Sequence, residues 1–157
     1  MTITFNALDT SSVNSAITEL QRLGLEQQQK INEACMDLAT LGATQASLDF
    51  ARCPYDGNRD VSVRVDELPN GARITASGDT VLFLEYGSGA TMGYGHLRPE
   101  GYGPGTYNPL SDKWKNPKGW WYGNRQHTYG NPPAMAMWNA EQVVIDRANE
   151  VLNGVMQ

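Results

Sequence analysis

Residues 61–86 read VSVRVDELPNGARITASGDTVLFLEY, and the fold class turns on them. Val61, Val63 and Val65 alternate with Ser62, Arg64 and Asp66, the period-2 pattern of a half-buried strand. Pro69-Asn70-Gly71 is a turn. Ala72, Ile74 and Ala76 then alternate with Arg73, Thr75 and Ser77, which predicts a second strand. After Gly78-Asp79 the run TVLFLEY (80–86) is apolar on both faces at Val81–Leu84, as in a strand covered on both sides. Together the three runs predict an antiparallel meander.

Helical patterns flank this centre. Ser11 or Ser12 can cap a helix carrying Val13, Ala16, Ile17, Leu20 and Leu23 at helical spacing, which Gly24 is expected to end or bend. A second pattern runs from about Glu26 to Arg52 with Ile31, Ala34, Cys35, Leu38, Leu41, Ala46 and Leu48 as its stripe. Gly42 is a weak point inside it, costing about 1 kcal/mol against alanine, and Pro54 is a natural stop. Near the end, Trp120–Tyr122 and Gln126–Tyr129 flank Gly123-Asn124 as a hairpin. Asn131 and Pro132 are placed to start a last helix with Met137, Ala140, Val144, Ala148 and Val151 on its core face and Gly154 at its end. The expected fold is α+β in a single domain over 1–157. Its N-terminal helices and C-terminal helix pack on an antiparallel sheet, with a long Gly/aromatic-rich loop at about 88–119 and a late hairpin.

Composition sharpens the picture between Gly87 and Pro133. That stretch holds ten of the 16 glycines, six of the eight prolines and eight of the 14 aromatic residues. It also carries Arg98, Lys113, Lys115, Lys118 and Arg125 against Glu100 and Asp112, a balance of +3 in a chain of net charge −5. The rest of the chain therefore stands at −8, which argues against sequence-independent binding to nucleic-acid backbones. Met1–Asp9 has neither the basic nor the apolar region of a signal peptide, and no apolar run is long enough for a membrane span. Cys35 and Cys53 lack any metal-ligand spacing and are expected to be free thiols, so neither a metal nor a cofactor is expected.

Catalytic chemistry finds little footing. The only histidines are His96 and His127. Ser88, His96 and Asp112 form no recognisable hydrolase motif, and Gly87–Gly95 lacks the following helix and Lys-Ser/Thr of a phosphate loop. No enzyme is expected. Glu85, ending an otherwise apolar run, reads as a solvated strand end or as half of an ion pair across a subunit contact, with Arg98 or Arg125 as candidate partners. Tyr94, Tyr102, Tyr107, Trp114, Trp120, Trp121, Tyr122 and Tyr129 are the strongest signal, because tyrosine and tryptophan bury large areas while keeping a polar tip. Trp120 and Tyr122 share one face of a strand and Trp121 the other, so one side should meet something beyond a two-layer core.

The block Leu82-Phe83-Leu84-Glu85-Tyr86-Gly87-Ser88-Gly89 resembles the aromatic-hydrophobic-Glu-aromatic-Gly-Thr/Ser-Gly signature of the HK97 gp10-like tail proteins of long-tailed bacteriophages. A second block, Gly119–Tyr122 and then His127–Ala140, is similar to that family's late segment, where an aromatic strand leads to a His-Thr-x-Gly turn and a closing helix. The resemblance spans roughly residues 12–153. It implies a structural virion protein, a tail completion or tail terminator protein of the phage neck, made in the host cytoplasm. Such a protein caps the head-proximal end of the tail tube and joins it to the head connector. It also implies a homo-oligomeric, hexameric ring that contacts the tail tube protein and the head–tail connector protein, with DNA passing through the lumen without specific binding. The candidate subunit or partner interface comprises Glu85, Tyr86, Gly87, Gly89, Tyr94, Tyr102, Tyr107, Trp114, Trp120, Trp121, Tyr122, His127 and Tyr129. A different class of function, a carbohydrate-binding or receptor-binding tail component, would use the same aromatic loop.

Overall fold

A computed structural model describes residues 10–55, 57–89, 92, 116–122 and 126–155. Tyr94, Tyr102, Tyr107, Trp114, His96 and most of the 88–119 loop lie outside them. The order is α1 (Thr10–Arg52), β1 (Ser62–Leu68), β2 (Gly71–Ser77), α2 (Val81–Tyr86), β3 (Trp120–Tyr122), β4 (Gln126–Thr128) and α3 (Ala136–Val155). The architecture is α+β: a long N-terminal helix and a C-terminal helix accompany two small antiparallel sheets. No helix among the described residues is long and apolar enough to cross a membrane.

The two expected N-terminal helices are one. Gly24 does not interrupt α1, because side-chain pairs one turn apart support the helix on both sides of it. Arg22 pairs with Glu19 at 2.5 Å and also with Glu26, Gln28 donates to Asn32 at 2.9 Å, and Gln29 donates to Glu33 at 3.0 Å. Each such pair contributes about 0.2–0.5 kcal/mol, enough together to offset one glycine. Ser11 and Ser12 fall inside the first turn rather than before it. At the other end, Arg59 returns to the C-terminus of α1 and donates to the carbonyls of Ala51 at 2.6 Å and Cys53 at 2.8 Å, where orphan acceptors and the negative end of the helix dipole favour a cation.

β1 and β2 form the expected hairpin across the Pro69-Asn70 turn, paired from Ser62↔Ser77 to Leu68↔Gly71. The third strand of the meander is absent: Val81–Tyr86 is a short helix. A four-residue apolar run fits a buried helix as well as a buried strand, and here the start of the run decides. The Asp60 carboxylate accepts from the Asp79 N–H at 2.5 Å, the Thr80 N–H at 3.1 Å and the Thr80 hydroxyl. This turns the chain into α2 and away from the edge of β2. These hydrogen bonds, led by the Thr80 hydroxyl and followed by the Asp79 amide, hold the Asp60 carboxyl below the usual carboxylate range.

The core is small and rich in alanine. Ala46, Phe50 and Cys53 of α1 and the chain just after it meet Leu84 of α2 and Ala136 and Ala140 of α3. Gly42 is no weak point. A Cβ there would lie 2.8 Å from Ile74 Cδ1 and 2.9 Å from Val144 Cγ2, so its absence lets α1, β2 and α3 converge. Asp49 ties the two long helices together, accepting from Asn139 Nδ2 at 2.8 Å and from Gln45 at 3.0 Å. Cys35 and Cys53 are both unbridged, and burial pushes the Cys53 thiol up.

Candidate interaction site

The two sequence blocks 82–89 and 119–140 meet in space. Ser88 and Asn131 form an isolated antiparallel bridge: the Ser88 N–H donates to the Asn131 carbonyl at 2.9 Å and the Asn131 N–H to the Ser88 carbonyl at 3.1 Å. The Ser88 hydroxyl donates to Asn131 Oδ1 at 2.5 Å, and Asn131 Nδ2 donates to the Phe83 carbonyl at 2.9 Å. Both residues are buried, so every one of these groups needs its partner. Asn131 therefore clasps α2 to the chain entering α3; it does not cap α3, which begins at Ala136. The crossing is tight enough that a Cβ on Gly130 (φ +98°) would collide with the Ser88 carbonyl, and one on Gly89 (φ +87°) with that of Tyr129.

Glu85 completes the clasp. It is neither on a strand nor solvated, being 6% exposed. Its backbone carbonyl accepts from the Met135 N–H at 3.3 Å, while the Leu84 carbonyl accepts from Ala134 at 2.7 Å. Its carboxylate accepts from the Met137 N–H at 2.9 Å and the Trp138 N–H at 3.3 Å. These are orphan donors in the first turn of α3, so Glu85 does from a distant part of the chain what an N-cap side chain does locally, and its charge sits at the positive end of the helix. Met135, the residue before α3, has φ +52° and no side-chain oxygen with which to cap the helix itself. Tyr86 ends α2, half-buried, and Gly87 is its buried C-cap with φ +76°. A solvated strand end does not describe Glu85, which is buried within α2; Arg98 and Arg125, the expected partners for an ion pair across a subunit contact, lie outside the described residues.

From the clasp the chain runs into the β3–β4 hairpin, paired Trp120↔Thr128, Trp121↔His127 and Tyr122↔Gln126. Alternation works as expected: Trp120 is 5% exposed and Trp121 is 62% exposed. On the outer side Trp121 and His127 meet edge to face with ring centroids 5.0 Å apart, and His127 and Tyr129 meet the same way at 4.9 Å. The three rings form one continuous row, with Tyr129 also more than half exposed. The hairpin thus separates two jobs: Trp120 fixes it to the clasp, where it lies near Gly89, and Trp121, His127 and Tyr129 face outward. Lys118, exposed, lies two residues before it.

Of the residues weighed for hydrolase chemistry, Ser88 is described and His96 and Asp112 lie outside the described residues. The Ser88 hydroxyl donates a hydrogen bond to an amide oxygen, and among the described residues no group of three His, Cys, Asp or Glu side chains is placed to hold a metal ion. No family model matches the chain, and no curated protein or solved structure matches it either.

Proposed function

We propose that this chain is a structural subunit of the neck of a long-tailed bacteriophage, one that closes into a ring at the head-proximal end of the tail tube and joins it to the head connector. The observation that carries the reading is the clasp. The two blocks that resemble the HK97 gp10-like tail proteins lie 43 residues apart at Ser88 and Asn131, yet they form one buried unit. Signature residues such as Glu85, Gly87, Gly89 and Asn131 are then explained by a shared structural role, that of holding α2, the hairpin and the start of α3 in fixed relation.

A ring needs a heterologous contact, one surface of a subunit meeting a different surface of the next, with a rotation that closes. The outward aromatic row supplies one such surface, because exposed tryptophan and tyrosine rings are costly to leave in water and favoured at the centre of interfaces. The acidic balance of the chain outside 87–133 suits a lumen through which DNA passes without sticking. Sedimentation and electron microscopy of the purified chain test this reading: concentration-dependent closed rings support it, and a monomer at every concentration together with no incorporation into tails refutes it.

The exposure of Trp121 and Tyr129 also favours a second reading, a platform on which sugar rings stack in a receptor-binding tail component. Binding of the monomer to immobilised glycans, lost with Trp121→Ala, would select that reading over the first.

A further inference from the structure

We infer that the aromatic row of one subunit docks on a groove of a second copy, formed between α1 and the end of β1 and lined by Leu25, Gln29, Glu33, Met36, Asp37 and Glu67. The inference rests on the ring reading and names its contact.

The groove is open to solvent, with a volume of about 570 Å³. Leu25, Gln29, Asn32 and Met36 follow helical spacing along one face of α1, so the floor is a continuous strip. Leu25 is 73% exposed, an apolar side chain that the described residues leave largely uncovered. Carboxylates rim the strip: Glu33, Asp37 and Glu67. Glu33 accepts a hydrogen bond from neutral Gln29, and among the described residues no cation pairs with any of the three. A strip with apolar Leu25 and Met36 at its ends, the amides of Gln29 and Asn32 between them and a negative rim selects a partner that offers rings with polar tips and a positive border.

This chain carries such a partner. Trp121 and Tyr129 supply exposed ring area and Lys118 an adjacent exposed cation, within a segment whose sequence balance is +3 against −8 elsewhere. The same copy cannot use both surfaces on itself. The hairpin is anchored through Asn131, whose Nδ2 lies 4.0 Å from Cys53 Sγ just beyond the end of α1. Asp37 lies 15 residues before Arg52, about 22 Å along the helix at 1.5 Å per residue, whereas a three-residue strand spans about 10 Å. The contact is therefore between copies and joins unlike surfaces, the geometry that a ring requires.

The test places the photoreactive residue p-benzoylphenylalanine at position 121 in the full chain and mixes it with an isotopically labelled, unsubstituted chain, so that links between copies are recognised by mass. Links from position 121 to residues 25–37 or to Glu67 of the labelled chain are expected. In parallel, the charge-reversed variant E33K/D37K/E67K should raise the midpoint concentration of assembly roughly tenfold or more, with its thermal unfolding followed to show that it folds. Links between copies that map elsewhere, with assembly intact in the reversed variant, overturn the groove and leave the ring reading standing. A wild-type chain that never assembles, alone or on tails, overturns both.

Discussion

Glu85 and Met137 are 52 residues apart, and the carboxylate of the first accepts the backbone N–H of the second at 2.9 Å. One buried acid thereby joins the end of α2 to the beginning of α3. Glu85→Ala leaves the half-buried Met137 and Trp138 amides without their acceptor and should cost about 1–3 kcal/mol, lowering the thermal midpoint by about 2–4 °C per kcal/mol. Glu85→Gln keeps an acceptor but loses the charge at the helix terminus, and should cost about 1 kcal/mol. Urea denaturation of the parent and the two variants measures both, and equal midpoints would rule out this role for the acid.

Two glycines in one helix should respond with opposite signs. Gly24 has open space around its Cβ position, so Gly24→Ala should stabilise by about 1 kcal/mol through helix propensity. At Gly42 the same gain meets Ile74, Val144 and the Ala140 carbonyl, and overpacking of this kind costs about 1–3 kcal/mol. Gly42→Ala should be net destabilising. Thermal melts of the two variants beside the parent chain decide it.

The adjacent tryptophans should likewise diverge. Trp120→Ala removes a buried ring and should cost about 3–5 kcal/mol of folding stability. Trp121→Ala removes an exposed one and should stay within about 0.5 kcal/mol of the parent, while assembly measured by sedimentation is lost. A collapse of stability in Trp121→Ala would make it a core residue.

Stability should fall in acid partly through Asp60. Its carboxyl titrates below the ordinary aspartate value of 3.8 in the folded chain, so its contribution is complete above that value and lost as pH falls through the lower folded one. Asp60→Asn should therefore be less stable than the parent at pH 7, and the gap should narrow as the pH is taken below about 4. A gap independent of pH would show that the carboxylate charge is irrelevant to the turn into α2.

Much of this architecture is legible because burial leaves a period in the sequence. The valines at 61, 63 and 65 carry β1, Ala34, Leu38 and Ala46 carry the buried face of α1 while Leu41 and Leu48 of the expected stripe stand exposed, and the odd–even placement of Trp120 and Trp121 carries the hairpin's two faces. What is illegible depends on backbone partners. Val81–Leu84 is apolar whichever way it coils, and the turn into α2 is fixed by a carboxylate 20 residues before Thr80. Asn131 before two prolines looks like a helix cap, yet its side chain is taken by Ser88 and Phe83. Glu85 marks itself as an anomaly in an apolar run, but amides carry no residue code that would name its partner. Gly24 and Gly42 look alike in sequence and differ only in what stands beside them.

The Ser88–Asn131 clasp has a consequence for how this chain can change over evolutionary time. It pins the two ends of the span between them, so the cost of changing that span's length is a loop-closure cost. The entropy of closing such a span grows only with the logarithm of its length, about 0.6 kcal/mol for each doubling. Insertions or deletions between Gly89 and Gly119 should therefore add little to the closure cost of the frame. The clasp thereby sets where the chain leaves the fold and where it returns, and leaves the length between those two points as the quantity that can vary at small entropic cost.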